Sequence, residues 1–125
     1  MKITLTSVYV NNPIEAFKFY THVLGFVERM FMPEMYLAIV ASADDPQGTG
    51  LLLEPNENPI AKDYQTALYN AGLPVIVFGV DNVQQEYDRL IGEGVIFKKM
   101  PTKTDWGIEA IFDDTFGNYI QIAQM

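Results

Sequence analysis

The strongest constraint on the fold is an internal repeat in the order of structural signals. Val10 is followed by polar Asn11 and Asn12, an amphipathic run and Gly25; Val80 is followed by Asp81 and Asn82, a second such run and Gly94, one residue sooner. Each block has an apolar strand before it and three strand-like segments after it. Few residues match between the halves, so pattern and order carry the repeat. A repeated βαβββ unit predicts an α+β fold of two modules, each a curved half-sheet with its helix on one face. The other faces are then expected to enclose a cavity, the two half-sheets forming a curved mixed sheet around it.

"KITLTSVYV" alternates, with Ile3, Leu5, Ser7 and Tyr9 on one face and Thr4, Thr6, Val8 and Val10 on the other. In "NNPIEAFKFYTHVLG", Asn12 is the expected N-cap, Pro13 the first helical residue, Glu15 the closing member of a capping box and Gly25 the terminator. Ile14, Phe17, Tyr20 and Leu24 are its expected buried stripe. "FVERMFM", "MYLAIVAS" and "GLLLE" are three strands separated by turn signals. "NPIAKDYQTALYNAG" reads as a linker helix with Ile60, Tyr64, Ala67 and Leu68 on one side. The second half gives the strand "LPVIVFGV", a helix capped by Asp81 with Val83, Tyr87, Leu90 and Ile91 inside, and the strands "VIFKKM", "GIEAIFDD" and "NYIQIAQ". The expected organisation is one domain over 1–125, with an N-terminal module at about 1–56, the linker helix at about 57–72 and a C-terminal module at about 73–125.

Composition narrows the chemistry. The chain has no cysteine, which removes disulfides, thiolate nucleophiles and cysteine-ligated metals. Its net charge of −8 opposes nucleic acid and anionic membranes as partners and favours cationic small molecules. No apolar run approaches the roughly 20 residues that cross a bilayer. "MKITLTSV" lacks the features of a secretory leader, so a cytoplasmic protein is expected.

"SVYVNNPIEAFKFYTHVLGF" is similar to the opening strand and helix of the vicinal oxygen chelate superfamily, the glyoxalase, bleomycin resistance and extradiol dioxygenase group. "FDDTFGNYIQI" resembles that family's closing turn and last strand. The resemblance covers essentially the whole chain and implies two βαβββ modules, a small-molecule partner and a homodimer. It also implies a divalent metal held by side chains from the first and last strand of each module. Carried over by position, those places fall on Leu5, Glu54, Val75 and Gln121. Leucine and valine supply no donor, and a stable site needs about three. The expectation is therefore no cofactor and no intact metal site, a metal recruited at Glu54 and Gln121 being the alternative.

Glu54 shares face parity with Leu52, on the row expected to face the cavity; a carboxylate there suits a catalytic base in a lyase or isomerase step, or simply ends the strand. His22, the only histidine, sits in the first helix and reads as a surface residue. Asp113 and Asp114 point to opposite faces and more naturally shape the turn before Gly117. Trp106, on a loop ahead of a strand, could stack on a flat or cationic ligand or pack as rim. The expected ligand-binding set is Ser7, Tyr9, Val77, Trp106, Tyr119 and Gln121, with Glu54 catalytic if there is turnover. A small-molecule-binding protein, an enzyme using Glu54, and a partner-binding module with a vestigial cavity all remain open at this level.

Overall fold

A computed structural model describes all residues, Met1–Met125. The chain forms two compact units, Met1–Asp63 and Tyr64–Met125.

The first unit contains strand β1 (Leu5–Val10), helix α1 (Pro13–Lys18), and strands β2 (Val27–Met32), β3 (Leu37–Ala41) and β4 (Gly50–Pro55). Its sheet has the order β1-β4-β3-β2, with β1 parallel to β4 and the other neighbours antiparallel. The expected alternation holds. Val8 and Val10 of β1, Leu51 and Leu53 of β4, and Ala38 and Val40 of β3 are buried, together with Pro13, Ala16, Phe17 and Tyr20 from the helical segment. The Phe17 ring stacks on Phe31 of β2 at 4.1 Å. Burying such side chains supplies roughly 1.5–3 kcal/mol each, which ties α1 to one face of its sheet.

Asn12 caps α1 as its sequence suggests, its side chain accepting from the Ile14 and Glu15 amides. Glu15 does not close a capping box; its carboxylate takes Lys18 instead, at 3.3 Å. Beyond Lys18 the chain widens into a π turn over Phe19–Val23, where the Leu24 amide donates to the Phe19 carbonyl. The one extra residue of the first repeat is absorbed here, because a π turn holds an additional residue within a continuous helix. Ile14, in the first turn of α1, and Leu24, just beyond the π turn, are only half-buried.

Helix α2 (Pro59–Asn70) crosses from the first unit into the second, and Asn58 accepts from the Ile60 amide at its start. Its inward residues are not those expected. Ala61 and Gln65 are buried, while Ile60 and Tyr64 are 81% and 56% exposed and Ala67 is exposed. The segment is helical as its period implies, but its inward phase differs, because a hydrogen-bonded glutamine and not an aliphatic residue takes the inside position.

The second unit contains β5 (Pro74–Gly79), α3 (Val83–Gly92), β6 (Phe97–Thr104), β7 (Gly107–Asp113) and β8 (Tyr119–Gln124), in the order β5-β8-β7-β6. It repeats the first unit's topology, with β5 parallel to β8. The α3 cap is Asn82 and not Asp81: the Asn82 side chain accepts from the Gln85 amide. Val83 and Leu90 are buried and Tyr87 packs edge-on against Phe97, but Ile91 turns outward. Both repeats end their helix on a glycine of positive φ, Gly25 at 92° and Gly94 at 86°, a conformation that favours glycine. No helix is long and apolar enough to cross a membrane.

Candidate functional site

Each sheet has one face packed on its own helix, so function is to be sought on the other. In the first unit, strand register assembles a cross-strand row on that open face: Ser7, Leu52, Ile39 and Met30. One pleat further along lie Tyr9 beside Glu54, and Leu37 beside Met32. Leu37, Ile39, Leu52 and Met32 are half-buried, and Met30 is 45% exposed. Of the sequence-expected residues, Ser7, Tyr9 and Glu54 are thus brought onto one face. The Glu54 carboxylate takes no hydrogen bond or ion pair from the chain.

In the second unit the matching row is Val77, Gln121, Ile111 and Lys99, with Lys99 paired to Glu109 at 3.0 Å. Val77 and Gln121 are direct cross-strand neighbours, and Val77 is 51% exposed. Tyr119 lies two residues before Gln121 on the same face and opposite Asp113. Trp106 does not join them. It occupies the two-residue tip between β6 and β7, 84% exposed, its amide donating to Thr104 Oγ1.

Residue spacing alone missed Tyr69. It comes from α2, stacks parallel on Tyr119 at 4.4 Å and donates its hydroxyl to Asp113 Oδ2 at 2.6 Å. That hydrogen bond, then Tyr119 and burial, holds the Tyr69 phenol well above the ordinary tyrosine range. The Lys98 ammonium sits over the Tyr119 ring, 5.1 Å from its centroid. Nothing in the helical periodicity marks Tyr69, since its neighbours on α2 are read by the same pattern.

The adjacent turn explains how Tyr69 is placed. Asp114 is fully buried, and its Oδ1 accepts from the Phe116 and Asn118 amides while Oδ2 accepts from Asn118 Nδ2. Gln65, one helical turn before Tyr69, donates to Asn118 Oδ1 and to the Phe116 carbonyl. Asp113 and Asp114 therefore both shape the turn, and Asp113 also reaches the open face. His22 is exposed within the π turn.

The register corrects the equivalence of Glu54 and Gln121, each taken from the last strand of its module, that the positional carry-over implies. Ser7 pairs with Leu52 where Val77 pairs with Gln121, so Leu52, not Glu54, is the counterpart of Gln121. Glu54 pairs with Tyr9 and corresponds to Ala123, which pairs with Gly79. Because the offset is two residues, face parity is unchanged.

This matters for a metal of the kind the resemblance implies. Leu5 is aliphatic, as is Val75, which falls at a register shift without a cross-strand partner. No group of three His, Cys, Asp or Glu side chains is placed to hold an ion. One amide at Gln121 and one carboxylate on a different row, in different units, do not fit such a centre.

Comparison with known proteins agrees with the architecture. The family model described as the Glyoxalase/Bleomycin resistance protein/Dioxygenase superfamily matches residues 2–122. The chain is 47% identical to YurT of Bacillus subtilis (strain 168), an uncharacterized protein, over 99% of each chain. Among solved structures it is similar to UcmS2, with a TM-score of 0.82 and 26% identity over 100% of this chain and 98% of that one. It is also similar to TnmS3, an antibiotic binding protein from Streptomyces sp. CB03234, with a TM-score of 0.75 and 26% identity over 99% and 95%. With its two repeated units and a family match spanning nearly every residue, the chain belongs to the Glyoxalase/Bleomycin resistance protein/Dioxygenase superfamily.

Proposed function

We propose that this protein binds a small organic molecule with a flat or apolar body on its open sheet faces, without a metal ion. The observation that carries the reading is its likeness, over nearly the full length of both chains, to a protein described as antibiotic binding. The open faces support it. Half-buried Leu52 and Ile39 with Met30 in the first unit, and Val77 with the Tyr69–Tyr119 stack in the second, offer apolar and aromatic contact surface. The same reading takes the protein as cytoplasmic and homodimeric, the latter supported by the exposed Ile60 and Tyr64 on α2.

The test is calorimetric titration with a panel of polycyclic aromatic compounds, on wild type and on Leu52→Asp and Val77→Asp. Saturable binding to wild type, weakened about tenfold or more by at least one variant with unchanged unfolding temperature, is the expected result. An entire panel without saturable binding would overturn the reading. Sedimentation velocity of wild type and Ile60→Glu tests the dimer.

A further inference from the structure

Glu54 is the only charged side chain in the open-face rows of the first unit; the rest are aliphatic, thioether, serine and tyrosine. It is half-buried, and no group of the chain hydrogen-bonds to it or pairs with it. Two cations of that unit are engaged elsewhere: Arg29 donates to the Gly48 carbonyl and Lys18 pairs with Glu15. An ionised carboxylate only accepts hydrogen bonds, and with no donor from its own chain its acceptor sites on this face are open to a donor of opposite charge.

We propose that this face recognises an amphipathic organic cation. Its apolar body lies on Leu52, Ile39 and Met30, and its protonated amine meets Glu54. A metal ion is the wrong partner for this geometry, since it demands several donors and Glu54 is one. An amine requires one carboxylate and an apolar surface, which is what the rows provide. Tyr9, the direct cross-strand neighbour of Glu54, sets an aromatic residue beside the carboxylate on the same face. The net charge of −8 raises the local concentration of cations around the chain. The inference rests on the binding reading above and names the ligand class for it.

The experiment compares three probes with one ring system: 1-naphthylmethylamine, 1-naphthylmethanol and 1-naphthoate, titrated at pH 7 in about 0.15 M salt, where long-range attraction is largely screened. The amine should bind about tenfold or more tightly than the alcohol, and naphthoate more weakly than either. Glu54→Gln should bring the amine to the alcohol's affinity and leave the alcohol unchanged. Glu57→Gln, which removes the same charge from an exposed loop position, should preserve the preference. Glu54→Leu, matched to its apolar neighbours, guards against a folding defect in the first variant. Equal affinity of amine and alcohol for wild type, a preference that survives Glu54→Gln, or one lost equally in Glu57→Gln overturns the inference. Failure of all three probes, the alcohol included, strikes the binding reading itself.

Discussion

The Tyr69 hydroxyl donates to Asp113 Oδ2 at 2.6 Å, while the Tyr69 ring lies parallel to Tyr119, the residue paired with Asp113 across the sheet. One side chain of α2 thereby touches both members of a β7–β8 pair. Tyr69→Phe keeps the stack and removes the hydrogen bond, with an expected loss of about 1 kcal/mol. Denaturant unfolding of Tyr69→Phe, Asp113→Asn and the double variant gives the coupling directly, and a coupling of zero would refute the bond's contribution.

The same contact sets an alkaline limit. The folded Tyr69 pKa lies above its unfolded value, with the Asp113 hydrogen bond the largest cause. Between the two values the folded chain keeps a proton that the unfolded chain loses, so this contribution is fully present below about pH 10 and is lost as pH rises through the folded pKa. Spectrophotometric titrations of the tyrosinates in wild type and Tyr69→Phe should differ by one late-ionising phenol, present only in wild type.

The turn that holds Tyr69 in place is expected to be sensitive. Asp114→Ala leaves the Phe116 amide and Asn118 without the buried acceptor they now use, at a cost on the order of 3 kcal/mol. Gly117→Ala should also destabilise: φ is 103° there, and a Cβ would lie 2.6 Å from Gln65 Nε2. Equilibrium urea unfolding of both variants is the check.

Trp106 offers the opposite case. At 84% exposure it contributes little packing, and Trp106→Ala should change stability by no more than about 0.5 kcal/mol. Its fluorescence should be quenched freely by acrylamide, a neutral quencher that the chain's negative charge does not repel. Protection from quenching on adding a ligand would bring the hairpin tip into the binding surface, as its sequence position suggests.

Protein purified without chelator should contain zinc, nickel, iron and manganese well below one equivalent, and EDTA should leave its unfolding temperature unchanged. Elemental analysis decides this, and one equivalent of any of these metals would contradict the metal-free reading.

The sequence by itself determined the repeat, the strand faces and most of the ends. A period of two in β1 is enough to turn Val8 and Val10 inward, and Asn12 and Asn58 act through hydrogen bonds only a few residues long. Gly25 and Gly94 announce their left-handed turns because few other residues adopt them. Where two cap-forming residues stand side by side, as at Asp81 and Asn82, local chemistry does not choose between them. Only the tertiary structure decided the inward face of α2, where Gln65 is buried because Asn118, distant in the chain, supplies its partner. It alone decided that Gln121 corresponds to Leu52, since a two-residue slip preserves face parity and leaves the alternation unchanged. Glu54 was legible as an acid on the open face. That it stands there beside Tyr9, without a partner from its own chain, depends on which strand lies next to which, and sequence-local forces do not specify that.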